Sequence, residues 1–580
     1  MSYFMGNRHA VYKKNIWINF CLLLFWILLG LSLRFTNLAA KPPWADEWAT
    51  LVFSLGNSFK TVPLEQIISL DTILQPVTID NTIKSRDVIL HLMDESTHPP
   101  FYFLLTHWWL KLFPSLSALV SLWQARSLSA LLGVLAIPAT FGLTYLWRSC
   151  IVTSQIAAAL MAVSPYGIYL AQEARHYTLA ILWIIASLAC AIATIKHLQK
   201  KSLPPIAIIW LWIVVNSLAV ATHYFFVLSL IAQIIVLSGF WLQEANGKGT
   251  KYALALLSSH RWRRVGIAIL GTFIGCLGWI WAWKTIPDDR LTEWVYQDNA
   301  LGGEFFAPIP RLLGWIVTML MMVPIQNVPA WVIVVSVAIV LPILGWLAIA
   351  TIKNFYSNTG DRLLNIVVWY LLASVSLILG FTYIFDRDLT LAARFQFFYF
   401  PSVLLAIATV FAQLWRKSSQ SSQTKFLVPK TLVILTLLLG CCGSISIVSN
   451  LAYQKPDRPD LVVPVIADAQ RDNPEIPTVI ATVHKTHEQT GEIMGLAWEW
   501  QKLNPENSNP PQFLLLHKEA DDDVPTRNLN RHIEELSRPV DVWVVNFSAA
   551  VKLESQNCAV DEKFNRLKAS GYRYRLYHCY

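Results

Sequence analysis

The 580-residue chain is 55% hydrophobic and only 14% charged, with 25 Trp and a mean hydropathy of +0.45. That composition excludes an ordinary soluble domain and describes a chain that crosses a bilayer many times. The formal charge of +9 does not mark a nucleic-acid binder, because residues 451–580 hold 15 Lys and Arg against 19 Asp and Glu. The positive excess lies in the membrane part, and no nucleic-acid partner is expected.

Apolar runs near the ~20 residues that cross a bilayer recur at 16–36, 123–146, 154–172, 176–195, 204–222, 224–242, 265–284, 329–352, 364–385, 397–415 and 431–449. They predict eleven crossings, or thirteen if the shorter runs 99–113 and 311–326 also cross. The first run follows the basic stretch NRHAVYKK and no small-residue cleavage site follows it. It reads as a retained anchor with the N-terminus cytoplasmic. Basic residues recur at Arg148, at Lys196, Lys200 and Lys201, from Lys248 to Arg264, at Lys353 and from Arg416 to Lys430. This bias places those loops inside. Residues 37–98, with eight acids against four bases, and the acidic loop 286–306 then face outward. With Arg148 inside, 123–146 makes its crossing alone and 99–113 enters and leaves on the outer side. The same parity puts 311–326 on the outer surface and everything after 450 outside. The chain is thus expected to be a multi-pass protein of the inner or plasma membrane, surrounded by membrane lipids.

The outer loop 37–98 is too long for a simple connector, and long ordered loops are usually functional. After residue 450 the composition changes, and strand-like runs (TVIATV, FLLLH, VDVWVVNF) flank a helical THEQTGEIMGLAWEWQKL. The chain therefore divides into a polytopic α-helical membrane domain, 1–450, and an extracytoplasmic soluble α/β domain, 451–580. The eight cysteines show no metal-like spacing. Cys558 and Cys579 are the only pair in the outer domain, where a disulfide is permitted, although spacing alone does not show that the sulfurs meet. The absence of a Walker motif from the sequence argues against an ATP-driven transporter.

Ionisable groups at the membrane edge are costly and are functional-site hypotheses by default. Five sets fall on the outer side: Asp46 and Glu47; His98 in STHPPFYF; Glu173, Arg175, His176 and Tyr177 in SPYGIYLAQEARHYTLA; His223 and Tyr224 in ATHYFF; and Arg387 and Arg394 in FDRDLTLAARFQFF. Each has a plain structural reading. An acidic pair after a span can be a solvated loop, and HPP a helix start. Glu173 with Arg175 can be an internal ion pair, His223 an interfacial anchor, and either of Arg387 and Arg394 a snorkelling side chain. The chemical reading starts from a carboxylate against an apolar wall, whose raised pKa suits a general base. Asp46 is the candidate. Arginine offers a planar cationic fork for phosphate, a task for Arg394 and Arg175. Glu173 and Arg175 do not share a helix face unless the chain bends near Pro165 or frays at 173.

In this order the motifs resemble those of GT-C class membrane glycosyltransferases of the family 39 type, which includes protein O-mannosyltransferases and aminoarabinose transferases of lipid A. The resemblance rests on the Asp-Glu pair, HPPFYFLLTHWWLKLFP, ARSLSALLGVLAIPATFGLTYLWR and SPYGIYLAQEARHYTLA, over roughly residues 15–450. It implies that a sugar on a polyprenyl phosphate passes to an acceptor hydroxyl, with inversion, at the outer leaflet. By the family pattern Asp46 is the base, Glu47 assists, and His98, Glu173, Arg175, Tyr177 and Arg394 bind substrate. His223 joins the substrate-binding set from its own place among the outer-side ionisable groups. The chain has RF at 394–395 where RY is common in the family. Some relatives use a divalent metal and others do not, and the spacing here decides neither. The acceptor could be a lipid, a glycan or a protein. A secondary transporter or a flippase of the cell envelope is the rival reading, although it would be expected to show broken helices or repeat symmetry near the midplane.

Overall fold

The computed structural model describes residues 2–113, 117–246, 250–284, 305–326, 328–357, 361–417, 429–503, 509–518, 523–565 and 567–580. The first half comprises α1 (Ser2–Phe35), α2 (Ala45–Leu55), β1 (Ile67–Ile68), α3 (Leu70–Leu74), α4 (Ser85–Glu95), α5 (Phe101–Leu112), α6 (Leu122–Arg148), α7 (Ile151–Val163), α8 (Pro165–Ala171) and α9 (Tyr177–Gln199). Then come α10 (Ile206–Val220), α11 (Phe226–Ala245), α12 (Thr250–Ser258), α13 (His260–Lys284), α14 (Pro308–Leu320), α15 (Ala330–Ser357), α16 (Arg362–Ile384), α17 (Phe400–Lys417) and α18 (Pro429–Val448). The tail holds α19 (Pro459–Asp472), β2 (Thr478–His484), α20 (His487–Leu503), β3 (Gln512–His517), α21 (Val524–Glu534), β4 (Val540–Val545), β5 (Cys558–Val560), β6 (Leu567–Ala569) and β7 (Tyr572–Cys579). The protein is an integral, multi-pass, mostly helical membrane protein with a strand-containing C-terminal domain.

Every one of the eleven apolar runs lies on a helix, or on the α7–α8 pair, which bends by 53° at Ser164. Among the described residues, seven helices are long and apolar enough to cross a membrane, or eight if the bent pair is one span. The remaining runs carry shorter or more basic helices. One is α10, which stops at Val220 because the chain turns through Ala221–Phe225. The two doubtful runs form α5 and α14, of 12 and 13 residues. At 1.5 Å per residue they measure about 18–20 Å, well short of a ~30 Å hydrocarbon core. The acidic loop 286–306, apart from Phe305 and Phe306, lies outside the described residues, as do Lys248 and 418–428.

The C-terminal domain is α/β. Its sheet runs β1-β3-β2-β4-β7-β5, with β6 on β7. Strands β3, β2 and β4 are parallel, so α20 and α21 serve as crossovers, and Cys558 and Cys579, opposite each other on β5 and β7, form a disulfide. The sheet is completed from far away: Ile67 and Ile68 of the 37–98 loop pair antiparallel with Leu514 and Phe513. Trp48, Phe53, Ile73, Val88 and Phe103 also share one hydrophobic core with Ile493, Met494, Trp500, Phe513 and Trp543. Residue 450 therefore marks a change of surroundings, while 37–98 and the tail pack as one unit.

Candidate active site

Pro42, Pro43 and Trp44 deliver the chain to α2, whose first turn carries Asp46 and Glu47. Carboxylates suit that end of a helix because its free N–H groups are partly positive. Gly56, at φ +75°, ends α2, and its N–H donates to the Phe53 carbonyl. Neighbours on a helix point about 100° apart, so the two acids enter different surroundings.

Glu47 is fully buried and accepts from Arg126 Nε (2.8 Å) and Nη2 (2.7 Å) and from the Ala174 N–H (2.8 Å). Burial alone would raise its carboxyl, but Arg126 and then Lys455 hold it below the usual range. Arg126, itself buried, donates onward to the carbonyls of Leu38 and Lys41 at 2.9 Å each. Asp46 keeps 20% of its side chain exposed, with its Oδ2 3.3 Å from Arg394 Nη1 and 3.4 Å from Arg175 Nη2. Its carboxyl also departs from the sequence expectation of a raised pKa. Desolvation does push upward, but Arg394 first and Arg175 next pull it below the ordinary value, so it stays ionised.

Arg175 is 1% exposed and holds the cluster together. Its Nη1 donates to the Asp46 carbonyl (2.7 Å) and to Thr50 Oγ1 (3.1 Å), and its Nη2 reaches His98 Nε2 (3.0 Å). Arginine only donates, so Nε2 is the acceptor and the proton sits on Nδ1, which donates to Ser96 Oγ (3.0 Å). Burial, then Arg175, pushes His98 down to about 3, consistent with a neutral ring. The Tyr177 ring lies 5.8 Å from the Arg175 guanidinium.

Arg394 sits on a single 3-10 turn, Ala393–Phe395, with the Trp44 ring 5.0 Å away. The loop before it is shaped by side chains. Asp388 pairs with Arg311 (2.7 Å), Gln396 Nε2 donates to the Leu389 carbonyl (2.7 Å), and Trp315 Nε1 to that of Thr390 (2.8 Å). Phe395, in place of the family's common Tyr, packs edge-on against Phe225.

Glu173 and Arg175 do not act as a pair. Residues 172–176 form a turn between α8 and α9, and Glu173 points away to Lys455 Nζ at 2.6 Å. His223 lies a layer deeper, its ring 4.5 Å from His176 and 4.9 Å from Phe397, with Nδ1 accepting from the Phe225 N–H. His176 stands between His98 and His223, and both of its ring nitrogens are buried without a hydrogen-bond partner.

Sequence reasoning missed four participants. Arg126 was detectable, since a charge in an apolar helix is by default functional, yet it sits unremarked in ARSLSALLGV. Lys455, Asp457 and Trp44 gave no local signal. Lys455 and Asp457 follow the last membrane helix and return to the site, where Asp457 accepts from the Ala45 N–H (3.0 Å) and burial pushes its carboxyl up to about 6. The residues do not fit a divalent ion. Asp46 faces guanidinium groups, and among the described residues no three His, Cys, Asp or Glu side chains gather as ligands.

No family model matches the sequence, and no curated protein matches it. Solved structures do match. The chain is similar to ArnT from Cupriavidus metallidurans in the apo state, with 12% identity, a TM-score of 0.51 and 98% of each chain covered. ArnT from the same organism bound to undecaprenyl phosphate gives 12% identity and a TM-score of 0.48, over 96% of this chain and 97% of that one. The oligosaccharyltransferase of Archaeoglobus fulgidus gives 13% and 0.46, over 91% of this chain and 69% of that one. Membrane helices and C-terminal domain together thus have the GT-C fold that the motifs led us to expect.

Proposed function

We propose that the protein is a glycosyltransferase that moves a sugar from a polyprenyl phosphate to an acceptor hydroxyl at the outer face of the membrane, with inversion. The observation that carries this reading is the bridge between Asp46 and two arginines from distant segments, the buried Arg175 and the part-open Arg394. The reaction needs one base and one cationic clamp. The acceptor oxygen bonds to the anomeric carbon, the bond from that carbon to the phosphate oxygen breaks, and the polyprenyl phosphate leaves with the electron pair. Asp46 takes the hydroxyl proton as attack develops. Arg394 and Arg175 stabilise the charge growing on the phosphate.

Donor binding then changes the pairing. A phosphate drawing either guanidinium toward itself weakens that arginine's hold on Asp46 and makes the carboxylate more basic when it is needed. Glu47, saturated by Arg126 and Ala174, acts as a positioning residue, and Glu173 with Lys455 anchors the turn that presents Arg175. A groove of about 380 Å³ between α10, α11 and α13, with Trp212, Val227, Ile234 and Phe273 in its wall, includes Tyr224, the residue after His223, and suits an isoprenoid tail. ArnT, which shares the fold, binds undecaprenyl phosphate.

The test is turnover of a radiolabelled polyprenyl-phosphate sugar by the purified full-length protein. Wild type consumes the donor, whereas Asp46→Asn binds it without turnover. Full activity in that variant would remove Asp46 as base.

A further inference from the structure

A second cavity, of about 510 Å³, lies between the 37–98 loop and the C-terminal domain. Its size lies within the ~300–1,000 Å³ of small-ligand sites. One wall comes from residues 59–64 and 94–97 of the first outer loop, the other from 484–487 of the C-terminal domain. The second wall follows the carboxyl end of β2. The chain goes from β2 through α20 to β3 on one side, then returns through α21 to β4 on the other. Open parallel sheets bind ligands at such a reversal of strand order.

Hydrogen bonds link the cavity wall to the proposed chemistry. Ser96, in its wall, accepts from His98, which in turn accepts from Arg175. His487, also in the wall, stacks on Phe59 at 5.0 Å. The groove among α10, α11 and α13 shares no lining residue with this cavity, so donor and acceptor have separate sites.

The wall chemistry selects an occupant. Lys60 and Lys485 balance Asp94 and Glu95, Lys60 pairs with Asp94 at 2.5 Å, and Glu95 accepts from Ser58 and the Phe59 N–H. No net charge is left to recruit an anion or a cation. Ser96, Thr97 and Thr486 offer hydroxyls, and the imidazoles of His484 and His487, pushed by burial down to about 4, are neutral and each hold one donor and one acceptor. Val62, Pro63 and Leu64 supply an aliphatic face. Hydrogen-bonding groups beside an aliphatic wall match a sugar ring, which carries hydroxyls at its edge and C–H groups on its faces. An extended peptide would want a free strand edge, and the outer edge of β3 is taken by Ile67 and Ile68.

We propose that this cleft is the acceptor subsite and takes a neutral saccharide, whose free hydroxyl is delivered to Asp46. This rests on the glycosyl-transfer reading. The test is saturation-transfer NMR on the full-length protein in micelles, with maltotriose, cellotriose and chitotriose as probes and a Ser/Thr-containing hexapeptide as the rival. At least one trisaccharide should receive magnetisation from the protein. Leu64→Trp and Lys485→Trp, two independent plugs at the cleft, should each weaken its binding at least tenfold at an unchanged melting temperature, and Asp46→Asn should leave it intact. Signals from none of the trisaccharides, signals from the peptide alone, or sugar signals that survive both plugs would overturn the proposal. Donor consumption is scored separately. Sugar binding without any donor turnover sinks the transfer reading, whereas donor hydrolysis without sugar binding sinks the acceptor site alone.

Discussion

Asp46 and Glu47 are neighbours in sequence and opposites in setting. Glu47 lies in a sealed network with Arg126, Ala174 and, through Lys455, Glu173, whereas Asp46 keeps a fifth of its side chain open beside Arg394. Both carboxyls are held ionised by arginine, so charge does not separate them. Access does. A carboxylate whose oxygens all face fixed donors has no room for a substrate proton, while one that can exchange partners has.

The comparison breaks most easily at the sealed half. Glu47→Gln leaves Arg126 an uncompensated buried charge, and breaking such a pair costs about 3–5 kcal/mol. Thermal melting should show a large loss of folded protein, and Glu47→Gln with Arg126→Met should recover part of it. If Glu47→Gln instead folds normally and only turnover falls, Glu47 belongs with Asp46 in the chemistry. Asp46→Asn should do the reverse, lowering transfer by roughly 10²–10⁴-fold with the melting temperature nearly unchanged.

A third test reads the arginines through pH. Because the folded-state pKa of Asp46 is depressed, its carboxylate form is lost only as pH falls below the ordinary carboxylate range. Arg394→Gln removes the larger cationic influence and leaves the desolvation. The acid limb of kcat/KM should therefore move to higher pH, and an unmoved limb would show that Asp46 does not set it. The smallest effect is expected from Trp44→Phe, which weakens a cation–π contact worth ~0.5–1 kcal/mol. Turnover should drop only a few-fold, with stability barely altered.

The helices were legible because each apolar run reports its own surroundings, and the tail's strands and helix announced an α/β domain in the same way. Asp46, His98, Arg175 and Arg394 were named together from the sequence because ionisable groups beside apolar runs are costly, and the fold brings these four side chains into contact. The division of labour within the set was not. The 100° between Asp46 and Glu47 gains meaning only when Arg126, some 80 residues later, arrives against one face. Glu173 and Arg175 were hard to place because a five-residue turn replaces helix between α8 and α9, and the partner of Glu173 is Lys455, beyond the last membrane helix. The same distance hides the strand Ile67–Ile68, too short to stand out as a periodic pattern and visible only beside β3.

That strand has a consequence for how the protein is made. Ile67 and Ile68 are synthesised near the start, and their partners Leu514 and Phe513 about 450 residues later. At roughly 5–20 residues per second, the first loop waits on the order of 20–90 s before the sheet edge it completes exists. During that interval the apolar side chains of α2 and α4 have no counterpart from the tail. Biogenesis is thus a relay in which the opening loop must be shielded until the last 130 residues emerge. A chain cut short after the final membrane helix would lose more than a lid. It would leave the loop bearing Asp46 without its floor, and quality control should remove it.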